Sequence, residues 1–260
     1  MIGQALITEF LKLRHSKITW ISAVAFSFLP LAGALFVWIV MEPDRAAQLG
    51  LMGTKAQLTG VSADWPSYIT LLIQEACVGG MVLLAIIASY VFGREYSEET
   101  AKNMLALPVP RQWFVVAKFA VIFVWFLALS LLLSIEGYVI GTLVGLRGLT
   151  AGMALSAIKD ILIAGLVGFL LVPAVTWIAT LGRGYLPPIG FTILMLLFGN
   201  VFGATGWGKW FPWSIAPMLA GLAGPRTEVL APGSVVVLAL TFVAGFAATV
   251  WQLQFSDNTQ

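Results

Sequence analysis

The sequence predicts an all-α polytopic membrane protein, and three observations lead to this fold class. Hydrophobic residues make up 60% of the 260 residues and charged residues only 10%, against about a quarter in soluble proteins. Mean hydropathy is +0.95. Six apolar runs each approach the roughly 20 helical residues that cross a hydrocarbon core of about 30 Å. We therefore expect a single transmembrane domain over 1–260, with no separate soluble domain.

Residues 1–17 precede the first apolar run and show an amphipathic pattern. Four apolar residues recur at helical spacing: Ile2, Leu6, Phe10 and Leu13. The basic residues Lys12, Arg14 and Lys17 lie mostly off this stripe. The pattern predicts a short helix in the membrane interface, with a simple cytoplasmic extension of the first span as the alternative.

The six transmembrane spans are predicted at 18–40, 69–92, 119–144, 161–181, 187–205 and 234–253. Lys159 and Asp160 directly precede the fourth span, so we expect them to mark a helix end at the interface. The spacings Gly141-xxx-Gly145 and Gly199-xxx-Gly203 place small residues one turn apart, which lets membrane helices approach closely.

The distribution of basic residues predicts that both termini are cytoplasmic. With the N-terminus inside, eight of the 14 Lys and Arg residues fall on the cytoplasmic side: Lys12, Arg14, Lys17, Arg94, Lys102, Arg111, Lys118 and Arg183. The remaining six lie in longer outer loops, so the positive-inside bias is modest.

The apolar segment 206–225 is divided by Pro212 and Pro217 into pieces too short to span a bilayer. It therefore predicts a re-entrant hairpin on the outer side, before the sixth span. Trp207, Trp210 and Trp213 suit the headgroup depth of such a hairpin.

The loop 93–118, between spans two and three, contains seven of the few charged residues. Within it Ser97–Leu107 has a helical pattern, with Ser97 as the expected N-cap and acidic residues in the first turn. Pro108 and Pro110 end this helix and turn the chain toward the third span. A short charged helix of this kind is suited to docking on a soluble partner, although charge patterning alone is equally typical of an inert solvated loop.

Two carboxylates are predicted inside the spans, Glu75 in the second and Glu136 in the third. Because a charged side chain in lipid costs at least about 2.5 kcal/mol, both should face protein or water. One hypothesis is that they line a substrate path, with Asn200 of the fifth span as a further polar member. The alternative is that Glu75 reaches interfacial water while Glu136 pairs with a neighbouring helix.

Several kinds of chemistry are not supported by the residue inventory. The single cysteine, Cys77, cannot form an intramolecular disulfide, and the single histidine, His15, gives no multi-histidine metal site. Gly203–Lys209 resembles a phosphate-binding loop, but Trp210 stands where that motif needs Ser or Thr. The net charge of +2 is too small to indicate a nucleic-acid partner. We therefore expect no catalytic residue, metal or cofactor on this chain.

The loop between spans two and three contains a series of short motifs in this order: Glu95-Tyr96, Thr100-Ala-Lys102, Met104-Leu105, Pro108-Val-Pro-Arg111 and Lys118. In this order and spacing the loop resembles the first cytoplasmic loop in the permease subunits of type-2 ABC (ABC-2) exporters, in particular the bacitracin-resistance and lantibiotic-immunity group. Glu99 replaces the glycine that usually precedes the threonine. The segment Glu9–Arg14 and the sequence Phe211-Pro-Trp213 with Pro217 are also similar to that group.

This resemblance implies a bacterial cytoplasmic-membrane exporter subunit that pairs with a second permease and with two copies of a separate ATPase, which would bind ATP and Mg. It implies that the loop carries the ATPase-coupling helix, with these coupling residues: Glu95, Tyr96, Glu98, Glu99, Thr100, Lys102, Arg111 and Lys118. Arg111 and Lys118 are expected to fix the loop at the surface. Peptide antibiotic, lipid-linked or amphipathic drug, and sodium are all compatible cargoes in this family.

Other function classes remain open from the residues alone. An ion-coupled secondary transporter would use Glu75 and Glu136 as its ion site, but the chain lacks the paired half-repeats that such folds often show. An intramembrane enzyme would need a metal-ligand or nucleophile motif, and neither is recognisable. A membrane scaffold without a transport role is the third alternative.

Overall fold

The computed structural model describes residues 2–51, 62–97, 111–222 and 231–255. These residues form nine α-helices and two short 3-10 turns, without a β-strand in the described ranges. The helices are α1 (Ile2–Arg14), α2 (Lys17–Met41), α3 (Pro43–Gln48), α4 (Trp65–Ser97), α5 (Arg111–Val144), α6 (Ala151–Gly182), α7 (Leu186–Gly203), α8 (Ile215–Leu219) and α9 (Pro232–Phe255). The all-α prediction is confirmed for this part of the chain.

Six of the described helices, α2, α4, α5, α6, α7 and α9, are long and apolar enough to cross a membrane. They coincide with the six predicted spans. Several are longer than predicted, because the polar residues flanking each apolar run continue the helix. Thus α5 begins at Arg111 rather than Phe119, and its 34 residues are about 50 Å long, more than the hydrocarbon core requires.

The predicted helix end at Lys159 and Asp160 is wrong. The helix α6 begins at Ala151, so both residues lie well inside it. Thr150 caps its N-terminus with an extended backbone and a side-chain oxygen that accepts a hydrogen bond from the Met153 N–H at 3.2 Å. Hydropathy predicts that the helix begins with the first residue of the apolar run, whereas α6 begins directly after its capping residue, Thr150.

The fourth span, α6, is the centre of the bundle and packs against α4, α5, α7 and α9. Close contact with α9 depends on Gly245, because a Cβ there would lie only 2.6 Å from the Ala174 nitrogen. Pro173 interrupts the backbone hydrogen bonding of α6, and the Thr249 hydroxyl of α9 lies within 3.2 Å of the Thr176 hydroxyl. Small residues and hydroxyls therefore join these two spans.

One glycine of each spacing noted in the sequence makes a close approach, whereas Gly145 lies beyond the end of α5 and a Cβ there would meet nothing within 4 Å. Gly141 of α5 faces the Trp65 ring of α4, where an added Cβ would come within 2.6 Å. Gly199 of α7 faces the backbone of Trp213, which an added Cβ would overlap. Gly141 and Gly199 thus each leave room for an aromatic residue rather than for a second glycine-rich helix.

The described part of 206–225 consists of two 3-10 turns, Gly208–Trp210 and Pro212–Ser214, followed by α8. These pieces pack on α7. Trp207 and Trp210 are exposed, whereas Trp213 is buried in the protein rather than placed at the surface. Short broken elements are as expected from the two prolines, and the re-entrant arrangement stays a prediction.

Candidate functional site: the base of the α4–α5 loop and two carboxylates facing α2

The predicted coupling residues are distributed around the loop that joins α4 to α5. Glu95 and Tyr96 lie in the last turn of α4, and Arg111 is the first residue of α5. Glu98, Glu99, Thr100 and Lys102 lie outside the described residues, as does most of the predicted helix Ser97–Leu107. Ser97 itself is the last residue of α4.

Lys118 lies at the base of this loop, on α5, and it is buried rather than placed at a surface. Its Nζ donates a hydrogen bond to the carbonyl oxygen of Val91 on α4 at 2.8 Å. The same Nζ forms an ion pair with Glu9 Oε2 on α1 at 3.3 Å. It also stands 5.5 Å from the centre of the Phe92 ring. One ammonium group of α5 therefore contacts two other helices, α4 and α1.

Glu9 is the partner that makes this burial possible. Only 5% of Glu9 is exposed, and its other oxygen, Oε1, accepts a hydrogen bond from Lys12 Nζ at 2.6 Å. Burial by itself raises the pKa of Glu9, but the charges and hydrogen bonds of Lys118 and Lys12 outweigh this effect and hold the pKa below its usual value. The group is thus an ionised carboxylate shared by two lysines.

Next to this ion cluster, Tyr90 of α4 contacts two further segments of the chain. The Ser16 hydroxyl, which also caps α2, donates to the Tyr90 hydroxyl at 2.9 Å. The Tyr185 ring, in the turn between α6 and α7, stacks on Tyr90 at 6.2 Å between centroids. The Arg94 guanidinium lies 5.7 Å from the Tyr90 ring centre. The end of α4 is therefore held by α2 and by the α6–α7 turn.

Glu136 of α5 faces the first span. The Ser27 hydroxyl of α2 donates to Glu136 Oε1 at 2.8 Å, and the same hydroxyl lies 3.0 Å from the Ala23 carbonyl oxygen. Glu136 Oε2 is buried and has no hydrogen-bond partner among the described residues. Glu136 thus contacts a neighbouring helix, which is one of the two alternatives predicted for it from the sequence.

Glu75 of α4 also faces α2, but at a different level. A Cβ added to Gly33 would stand 3.2 Å from Glu75 Oε1, so the absent side chain makes room for the carboxylate. About two turns earlier on α4, the Tyr68 hydroxyl donates to the Pro30 carbonyl oxygen of α2 at 3.0 Å. Like Glu136, Glu75 has a buried Oε2 without a hydrogen-bond partner in the described ranges.

Asn200 is not brought into this arrangement. It lies on α7, its side chain is exposed, and its Nδ2 donates to the Leu196 carbonyl oxygen of its own helix at 3.0 Å. The two glutamates share α2 as a neighbour, whereas the hydrogen bond of Asn200 stays within α7. Within the described residues, no three His, Cys, Asp or Glu side chains are grouped as a metal site would require.

Sequence reasoning did not identify Glu9, Tyr90 or Ser27 as members of these sites. For Glu9 a signal was present, since it stands one turn before Lys12 and shares a helix face with Ala5 and Leu13. Its distant partner Lys118 could not be found by spacing. Tyr90 and Ser27 lie inside apolar runs where no local pattern distinguishes them from packing residues.

Two comparisons with known proteins bear on this arrangement. A family model described as "ABC-2 family transporter protein" matches residues 5–199, which include Glu9, Glu75, Lys118 and Glu136. The chain is also similar to the bacitracin transport permease protein BCRB of Bacillus licheniformis, with 32% identity over 189 residues. That alignment covers 72% of this chain and 87% of the Bacillus protein.

Proposed function

Because the chain belongs to the ABC-2 family of transporter proteins, as its resemblance indicated, we propose that it is the permease subunit of an ATP-driven exporter in a bacterial cytoplasmic membrane. The proposed cargo is an amphipathic or peptide-antibiotic-like molecule, moved out of the cell or the membrane with resistance as the result. The similarity to a permease named for bacitracin transport supports this cargo class. The subunit itself performs no chemistry.

The observation that carries the proposal is the buried join at the base of the α4–α5 loop. Lys118 connects the helix before the loop to the helix after it, and Glu9 adds α1. A loop whose base is fixed in this way can transmit a displacement, caused by a soluble subunit, to several spans at once. We assign ATP and Mg to a separate ABC ATPase, present in two copies against two copies of this permease.

We place both termini on the cytoplasmic side. The side chains Leu6, Ile7, Phe10 and Leu11 of α1 line an apolar groove with Ala120, Val121 and Val124 of α5. Those α5 residues lie further along the span than Lys118, so the apolar face of α1 points toward the membrane interior. This geometry supports an interfacial α1 beside the loop, and the modest excess of basic residues supports the cytoplasmic assignment.

The cargo path is proposed along α2, because both intramembrane carboxylates face that helix. Replacing both by Gln, Glu75→Gln with Glu136→Gln, keeps their size and removes their charge. We expect at least about a fivefold loss of resistance to bacitracin, used as the probe, at unchanged permease abundance in the membrane. Unchanged resistance would remove these residues from the path. Asn200→Leu is expected to have a smaller effect because Asn200 lies apart from them.

The coupling assignment is tested at the loop. The triple variant Glu98→Ala, Glu99→Ala, Lys102→Ala should reduce co-purification with the cognate ATPase and reduce permease-stimulated ATP hydrolysis by at least about tenfold, since it removes the charges proposed to dock. The matched control is Glu42→Ala with Arg45→Ala, which removes an exposed pair 3.8 Å apart beyond the other end of α2. Undiminished values for both measurements in the triple variant would contradict the coupling role.

A further inference from the structure

The N-terminal helix α1 is joined to both ends of the α4–α5 loop, although it is remote from that loop in sequence. Val91 lies six residues before the last residue of α4, and Lys118 lies seven residues after the first residue of α5. The Lys118 ammonium contacts the Val91 carbonyl oxygen and Glu9 of α1 together. The spacing between the two ends of the loop is therefore fixed by a group whose charge is balanced from α1.

A second contact holds α1 against the beginning of α5. Ala5 of α1 packs with Phe114 and Ala117 of α5 in a small buried apolar cluster, to which Leu6 adds. This cluster lies one turn before Lys118 on α5. Thus α1 is attached to α5 by apolar packing and by the ion pair between Glu9 and Lys118, and the same Lys118 ammonium contacts α4.

From this geometry we propose that Glu9 is a positioning residue for energy coupling. Acting through Lys118, it fixes the end of α4 relative to the beginning of α5, so that displacement of the loop by the ATPase moves α1 and both spans as one unit. This inference rests on the proposed function as an ATP-driven permease. It assigns to α1 a part in transmitting the displacement, beyond its lying in the interface.

The proposal requires the hydrogen bond from Lys118 to Val91 and the ion pair from Lys118 to Glu9, rather than the burial of the two side chains. A lysine amine left in this site without its carboxylate would bear an uncompensated charge, which is strongly destabilising. Two methionines in place of Glu9 and Lys118 would fill similar volume and need no partner, so the fold should tolerate them. They would supply neither the hydrogen bond to Val91 nor the ion pair to α1.

The experiment uses the full-length permease co-expressed with its cognate ATPase, in the wild type and in the double variant Glu9→Met, Lys118→Met. Three quantities are measured: the melting temperature, co-purification of the ATPase, and ATP hydrolysis relative to the ATPase alone. We expect the double variant to melt close to the wild type and to retain the ATPase. We expect its stimulation of hydrolysis to fall at least about fivefold.

A purely structural role predicts a different result. If the double variant equals the wild type in both melting temperature and stimulation of hydrolysis, the inference is wrong. Should the double variant fail to fold, Glu9→Gln with Lys118→Met replaces it, because this pair keeps the shape of the Glu9 side chain and leaves no unpaired lysine charge in the site. Stimulation equal to the wild type in that folded protein would also overturn the inference.

The same assay separates this inference from the proposed function. If the wild-type permease neither retains nor stimulates the ATPase, the proposed function fails. If the loop triple variant loses stimulation while the Glu9 variants keep it, the proposed function stands and only the inference about α1 fails. The exposed pair Glu42 and Arg45, replaced by Met at both positions, serves as the control for introducing two methionines.

Discussion

The ion cluster at the α4–α5 loop and the two carboxylates facing α2 bury the same functional group in different ways. Glu9 has a lysine on each oxygen, at 2.6 and 3.3 Å. Glu136 has one serine hydroxyl, Glu75 has the open space over Gly33, and each retains a buried oxygen without a partner among the described residues. A carboxylate with a partner on each oxygen is suited to fixing helices in place. A carboxylate with one unpaired oxygen retains an acceptor for a hydrogen bond from water or from a cargo.

The largest expected effect on stability comes from removing one member of the paired cluster. Lys118→Met should lower the free energy of unfolding by about 3 kcal/mol, because Glu9 remains buried with Lys12 alone and the Val91 carbonyl loses a donor. Thermal unfolding of the purified protein measures this. Arg45→Met, at an exposed ion pair, should change stability by no more than about 0.5 kcal/mol. Similar losses in the two variants would contradict the distinction between fixed and exposed pairs.

A smaller effect is expected at the incompletely paired carboxylates. Ser27→Ala should cost about 1 kcal/mol, since it removes the described hydrogen bond of Glu136. The cost is limited because one hydroxyl hydrogen is shared between Glu136 and the Ala23 carbonyl oxygen. Ser134→Ala is the matched control in a membrane span, because the Ser134 hydroxyl bonds only to the Ser130 carbonyl oxygen of its own helix. Equal melting temperatures for the two variants would show that the Ser27 contact contributes nothing.

The smallest effect concerns pH. The pKa of Glu9 is lower in the folded protein than its usual 4.5, so the folded state holds this proton less tightly than the unfolded chain. Its contribution to stability is therefore present above about pH 4.5 and is lost as the pH falls through the folded pKa. Between pH 7 and 5 the melting temperature should not change on account of Glu9.

The measurement that isolates this contribution is the difference in melting temperature between the wild type and Glu9→Gln, followed from pH 7 to pH 3. The difference should be constant down to about pH 4.5 and shrink below it. Asp64, whose pKa is also lowered, by hydrogen bonds from Ser62 and Ser67, titrates in both proteins and cancels. A difference that grows with acid would reverse the assigned sign.

Much of the fold followed from sequence because a membrane span is a property of a continuous stretch. Each of the six apolar runs must bury its backbone polar groups in a helix, whatever its neighbours are. The helix ends were less accurate. The start of α6 depends on the Thr150 cap, and the start of α5 at Arg111 lies beyond its apolar run. The family resemblance likewise depended on short ordered motifs, which a single chain displays.

The sites were only partly predictable. The sequence by itself determined that Glu75 and Glu136 lie in apolar spans and must find compensation, because an isolated charge is too costly in lipid. The burial of Glu9 and Lys118 is a finding of the structure. Only the tertiary structure decided which compensation each receives. Glu9 and Lys118 are 109 residues apart and meet because α1 lies across the start of α5, whereas Glu75 and Glu136 both turn to α2. Such pairings depend on how helices pack against one another, which the periodicity within each helix does not specify.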